Sequence, residues 1–230
     1  MNRVFGPYLL KFIAVFFDDI LVYSRTREDH LHHLRTALGV LLQHEFFAKL
    51  SKCTFCQPQV EYLSHVVNGE GVQVDASKIK VIVEWPRPST LKQLRGFLGL
   101  TGYYRRFVAK YAHLAAPLTE LLKKNSFAWT REAEVAFETL KKALTHTPVL
   151  TLPDFSLPFT VETDASAHGI GAVLSQQGHP IAYFSKKLNS RLKMASAYVR
   201  ELYAITQAVA KWWHYLLGRR FCINTDHQGL

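Results

Sequence analysis

The sequence predicts an α+β fold, and three observations carry that expectation. Two β-prone apolar runs, 12–17 and 20–23, lie on either side of Asp18 and Asp19 near the start. Leu31, Leu34, Leu38, Leu41 and Leu42 recur at helical spacing within 28–46, and further helical patterns follow. The last third orders its elements as β-β-β-α-β.

Composition narrows the class. A chain of 230 residues falls between one and two domains of about 150 residues each. With 48% hydrophobic and 13% aromatic residues it can build real cores, which excludes a disordered basic tail. The net charge of +10 fits a polyanionic partner such as nucleic acid, and equally a merely basic soluble protein. Three cysteines argue against a disulfide framework and fit a reducing, intracellular compartment. Cys53 and Cys56 form a C-x-x-C pair, but Cys222 is distant, so a four-ligand zinc site lacks its second pair. Buried small hydrophobes are the expectation for these thiols. No secretory leader is visible, and no apolar run approaches the roughly 18 residues of a membrane span, so no membrane partner is expected.

The two apolar runs read as a hairpin turning at Asp18-Asp19, since Asp tolerates left-handed backbone angles. Adjacent carboxylates between greasy strands repel each other and resist desolvation. A divalent cation resolves that conflict, while an acidic turn exposed to water needs none. Downstream, the helix over 28–46 precedes strands at 60–67 and 72–74 around Asn68-Gly69-Glu70-Gly71. Asp75 caps a helix that reaches about Glu84, before Pro86 and Pro88. Ser89-Thr90 opens a helix over 91–98, interrupted at 99–102, and another helix spans about 131–144. The three prolines within 148–158 mark a linker.

Lys92, Arg95, Arg105, Arg106 and Lys110 lie among Tyr103, Tyr104 and Phe107. Cations interleaved with aromatics suit a phosphate backbone and sugar edges. Two helices with a solvated basic face and an aromatic core face read equally well.

In the last third, 159–164 is a strand ending in an acid, strands follow at 170–174 and 181–184, and Gln177-Gly178 marks a turn. A long helix over 195–217 carries Glu201, and the strand 219–226 again ends in an acid. This order can bring Asp164, Glu201 and Asp226 to a common point, where they would form an acidic cluster suited to hard divalent cations. A single acid at a strand end, by contrast, is usually a solvated cap.

Several motifs in order now show a resemblance. Phe16-Phe17-Asp18-Asp19 with Ile20-Leu21-Val22-Tyr23-Ser24 resembles the central aspartate pair of reverse transcriptases. Glu61-Tyr62-Leu63-Ser64-His65 is similar to the primer-grip turn of that family. The stretch 94–107, Leu-Arg-Gly-Phe-Leu-Gly-Leu-Thr-Gly-Tyr-Tyr-Arg-Arg-Phe, resembles the thumb of gypsy-class long-terminal-repeat retrotransposons. Thr163-Asp164-Ala165-Ser166, Arg200-Glu201-Leu202 and Thr225-Asp226-His227 resemble the ribonuclease H domain of the same class.

The resemblance, which is collinear over the chain, implies a partial palm over 1–75, a helical thumb over 76–125, a connection over 126–155 and an incomplete ribonuclease H-like domain over 156–230. It implies Asp18 and Asp19 as polymerase metal ligands, and Asp164, Glu201 and Asp226 as nuclease ones. Both sets are expected to hold Mg2+, or Mn2+, as ion pairs about 3.5–4 Å apart. Tyr62, Leu63 and Ser64 would position a primer end. Lys92, Arg95, Tyr103, Tyr104, Arg105 and Arg106 would follow a primer-template duplex or an RNA-DNA hybrid. The implied activities are copying of RNA into DNA and cleavage of the RNA strand of hybrids. A further palm aspartate and the fingers are expected upstream of Met1, and a fourth nuclease acid beyond Leu230. A dNTP therefore binds only if those upstream parts are supplied. The expectation is an internal fragment of a polyprotein; the alternative is an inert remnant that keeps only nucleic-acid binding. Ser64 stands where the family commonly has Gly.

Overall fold

The computed structural model describes residues 1–123 and 127–225. Its backbone divides into two compact units, Met1–Gly69 and Glu70–Leu230. The mixture of sheets and helices is α+β, as expected.

In the first unit, β1 (Ile13–Phe16) and β2 (Asp19–Val22) pair antiparallel, with Ile13 opposite Val22 and Phe16 opposite Asp19. The turn is therefore Phe17-Asp18, one residue earlier than expected. Its cause is register: Ile13 must face Phe5, Ala37 and Leu41 in the core, and a one-residue slip would turn every side chain to the other face. The consequence is a phenylalanine at φ 51, exposed to solvent.

Helix α1 (Arg27–Gln43) starts at Thr26, whose hydroxyl oxygen accepts from the Asp29 amide at 3.1 Å. Only Ala37 and Leu41 of this helix are buried. Leu31, Leu38 and Leu42 remain exposed, because a two-stranded ribbon covers a narrower stripe than the five leucines define. The expected single strand over 60–67 is instead a hairpin, β3 (Gln59–Tyr62) and β4 (His65–Asn68). Leu63 and Ser64 form its turn at φ 51 and 58, the doubly left-handed pattern of a type I′ turn.

In the second unit, β5 (Gly71–Val74) is bridged to the expected linker: the Val72 amide donates to Leu150 and the Leu150 amide donates back, at 2.8 and 2.9 Å. Leu150 is thereby fixed in the core rather than carried on a free connection. Helix α2 (Ala76–Val83) is capped by Asp75, whose carboxylate accepts from the Ser77 amide at 2.6 Å.

Helix α3 (Leu91–Tyr103) opens with a reciprocal cap. Thr90 accepts from the Gln93 amide while the Gln93 side chain accepts from the Ser89 amide. The helix runs unbroken through 99–102, contrary to expectation, because Leu94, Phe97 and Thr101 hold its inner face in the core. α4 (Tyr111–Leu114), α5 (Ala116–Glu120) and α6 (Arg131–Thr145) complete this layer around Phe97, Phe107, Leu118, Phe137 and Leu140.

Strands β6 (Phe159–Ala165), β7 (Gly169–Gln176) and β8 (His179–Lys187) form a meander, with Gln177-Gly178 as the tight turn between β7 and β8. After α7 (Ser190–Lys193), α8 (Ala197–Lys211) and α9 (Trp213–Leu216), β9 (Phe221–Thr225) joins β6 in parallel. The sheet order is β8-β7-β6-β9. The expected single helix over 195–217 breaks at Trp212, whose indole is buried among Phe159, Ala208 and Leu216. The free thiols differ from expectation too: Cys53 is half-buried, and Cys56 and Cys222 are exposed.

Candidate active site

Asp18 and Asp19 project from the tip of the β1–β2 hairpin, both exposed. The tip is strained, since a bulky residue at positive φ is costly where glycine would not be. The β3–β4 hairpin ties to it: the Tyr62 hydroxyl donates to the Asp19 carbonyl at 3.3 Å. Burial, and then the Asp19 charge, push the Tyr62 phenol above its ordinary pKa. His65 donates through Nδ1 to the Leu63 carbonyl at 2.6 Å, steadying the turn that presents Leu63 and Ser64.

Two of the three acids expected for the nuclease, Asp164 and Glu201, lie toward one end of the sheet. Strand β6 presents Asp164 at its C-terminal end, with the side chain 52% exposed. Glu201, in the second turn of α8, is only 5% exposed. Its carboxylate accepts from the Ala165 amide at 3.1 Å and from the Thr225 hydroxyl at 3.4 Å. Glu201 thus lies beside the end of β6 and within reach of the last residue of β9, and the expected three-acid cluster is described only in its Asp164 and Glu201 part. Asp226 lies outside the described residues. Among the described residues no set of three or more His, Cys, Asp or Glu side chains is gathered tightly enough to hold a metal ion. The donors present are nonetheless hard carboxylate oxygens, which fit Mg2+ or Mn2+. A cation already stands on one of them: Lys110 Nζ is 3.1 Å from Asp164 Oδ2.

Of the expected nucleic-acid contacts, Lys92, Arg95, Tyr103 and Arg105 are exposed. Lys92, Arg95, Gly99 and Tyr103 fall on one face of α3, opposite Leu94, Phe97 and Thr101. A β-carbon on Gly99 would touch nothing within 4 Å, so internal packing does not call for glycine there. Tyr104 is 1% exposed and belongs to the core, so it acts by supporting Tyr103, whose ring it meets edge-on. Arg106 turns inward and donates to the Ile181 carbonyl at 3.4 Å. Neither residue presents itself to a duplex.

Residues 1–67 match the family described as reverse transcriptase (RNA-dependent DNA polymerase), and residues 129–223 match an RNase H-like domain found in reverse transcriptase. The Pol polyprotein of transposon 297 from Drosophila melanogaster is 42% identical over the whole chain, which spans 22% of that relative. The chain belongs to the gypsy-class long-terminal-repeat retrotransposon Pol polyproteins. The gypsy Pol polyprotein of Drosophila melanogaster is 37% identical over 100% of the chain and 24% of its own length. This Pol segment thus spans about a quarter or less of these curated relatives. A solved structure of the foamy viral protease-reverse transcriptase with an RNA/DNA hybrid shares the fold, with a TM-score of 0.89 at 24% identity, over 100% of this chain and 32% of that one.

Sequence reading gave Lys110 no role apart from the basic run. Its contact with Asp164 depends on how α4 docks against β8, where the Ala112 amide donates to Ser185 at 2.8 Å. No local pattern signals that pairing. No helix among the described residues is long and apolar enough to cross a membrane.

Proposed function

We propose that this Pol segment contributes to RNA-directed DNA synthesis and to cleavage of the RNA strand of RNA-DNA hybrids. The palm tail is assigned to 1–75, the thumb to 76–125, the connection to 126–155 and the ribonuclease H-like part to 156–230. The observation that carries the reading is the buried Glu201 carboxylate, hydrogen-bonded beside Asp164. Burying a helix carboxylate beside the end of β6 is costly, and a bound cation would offset that cost further than its hydrogen bonds do. Asp164, Glu201 and Asp226 would hold the nuclease Mg2+, or Mn2+, and Asp18 with Asp19 would contribute to the polymerase site. Such ions would supply the positive charge that activates an attacking oxygen and stabilises a leaving one.

The chain's own residues bind and orient. Lys92, Arg95 and Arg105 neutralise phosphates, Tyr103 lies against sugar edges, and the bare Gly99 lets the backbone come close. Tyr62, Leu63 and Ser64 hold the primer end against the Asp18–Asp19 hairpin, to which Tyr62 is bonded. A dNTP binds when the upstream palm and fingers complete the site.

The test joins the chain to the adjoining Pol segments and measures Mg2+-dependent primer extension and hybrid cleavage. Asp18→Asn should abolish extension alone and Asp164→Asn cleavage alone. Unaltered extension in Asp18→Asn, or unaltered cleavage in Asp164→Asn, overturns the corresponding assignment. Hybrid binding by the chain itself should weaken steeply as salt rises; a flat response removes the phosphate contacts from the reading.

A further inference from the structure

We infer that Lys110 is a positioning residue: an internal counter-cation that occupies Asp164 until a divalent ion takes its place. The inference rests on the assignment of Asp164 as a metal ligand. Lys110 Nζ stands 3.1 Å from Asp164 Oδ2, and both side chains are largely exposed, 68% and 52%. The pair is therefore open to exchange with ions from solvent rather than sealed inside the protein.

The backbone delivers this lysine at a cost. Lys110 has φ 55 and lies immediately before α4. A left-handed lysine is disfavoured sterically, whereas glycine or asparagine accepts that conformation readily. The docking around it is specific. The Ala112 amide donates to the Ser185 hydroxyl on β8, and Arg106 donates to the Ile181 carbonyl on the same strand. Farther along the layer, Glu120 pairs with Lys187 at the end of β8. These bonds pin the helical layer along the β8 edge and aim Lys110 at the end of β6, two strands away in the sheet order.

An ammonium at that position does two things. It offsets the charge of a carboxylate that shares its end of the sheet with Glu201, so that Asp164 stays oriented before any metal arrives. It also competes with the metal, because one carboxylate oxygen cannot serve both cations at close range. Metal loading is thus coupled to the α4–β8 contact, and Lys110 swings into solvent when the site fills.

The coupling is open to a titration that does not depend on turnover. Mn2+ binding to the chain is followed by loss of the free-ion paramagnetic resonance signal at fixed ionic strength, alongside thermal unfolding. Lys110→Gly and Lys110→Asn remove the charge and suit the left-handed backbone, so both should fold at least as stably as the parent. Each should bind Mn2+ about two- to fivefold more tightly, the range expected from releasing an exposed ion pair. Lys110→Arg should stay at the parent affinity. Unchanged or weaker Mn2+ binding in either neutral variant overturns the inference. Asp164→Asn separates the two ideas. If it abolishes Mn2+ binding while the neutral Lys110 variants change nothing, the metal ligand stands and the competition falls. If it leaves Mn2+ binding intact, the metal assignment itself falls.

Discussion

The Tyr62 hydroxyl donates to the backbone carbonyl of Asp19, joining the last residue of β3 to the first residue of β2. An exposed carbonyl can turn to water when its donor is lost, so Tyr62→Phe should cost no more than about 1 kcal/mol in urea denaturation. The larger effect is at alkaline pH. Burial, then the Asp19 charge, raise the Tyr62 phenol, so the folded state keeps its proton where the unfolded chain ionises. The stability tied to that proton is complete below about pH 10 and declines as pH rises through the folded value. Burial raises Tyr23, Tyr111 and Tyr183 in the same direction. Tyr62→Phe should therefore make the fall in urea midpoint above pH 10 less steep; an identical slope would refute the link.

The turn at Leu63 and Ser64 is built from residues that dislike its geometry. Both have positive φ, and a type I′ turn favours Asn-Gly. Ser64→Gly should stabilise the protein by up to about 1 kcal/mol, the relief of left-handed strain less the extra freedom glycine gains when unfolded. The paired change Leu63→Asn with Ser64→Gly should add to that gain. If Leu63 and Ser64 hold a primer end, the same variants report on function separately from stability. Urea midpoints decide the first point, and primer extension in the completed polymerase decides the second.

Gly99 opposes stability to binding. Exposed in the middle of α3 with open space where a side chain would be, it costs the helix about 1 kcal/mol relative to alanine. Gly99→Ala should raise the unfolding midpoint accordingly. If the face bearing Lys92, Arg95 and Tyr103 meets a sugar-phosphate backbone, Gly99→Leu should weaken hybrid binding at least tenfold while leaving the fold intact. Fluorescence anisotropy with a labelled RNA-DNA hybrid gives the affinity, and unchanged affinity in Gly99→Leu would remove this face from the interface.

The sequence declared whatever was encoded by local pattern. Helix starts at Asp75 and Thr90 were legible because a capping side chain precedes an apolar period within a few residues. The β-β-β-α-β order was legible for the same reason, and it sufficed to bring Glu201 beside the end of β6. Contacts set by distant packing were not legible. The Phe17-Asp18 turn follows from where Ile13 must point, and the Leu63-Ser64 turn carries neither Asn nor Gly to announce it. Tyr104 and Arg106 stand in a basic aromatic run that reads equally as a duplex contact or as a core face, and burial in the core and a carbonyl on β8 claimed them. Lys110 is the sharpest case, since nothing near it in the chain names Asp164 as its partner.

Glu201 allows charge to be separated from shape. Its carboxylate accepts from the Ala165 amide and the Thr225 hydroxyl, and glutamine can keep both bonds by presenting its oxygen to the amide and its nitrogen to the hydroxyl oxygen. Glu201→Gln should therefore fold as stably as the parent or better, because a buried charge near Asp164 is gone. Glu201→Ala leaves the Ala165 amide without that acceptor and should cost about 1–3 kcal/mol. Both variants should lose at least tenfold in Mn2+ affinity if the carboxylate binds metal. A Glu201→Gln protein that unfolds like the alanine variant would show a structural carboxylate. One that keeps the parent's Mn2+ affinity would exclude Glu201 from the metal site.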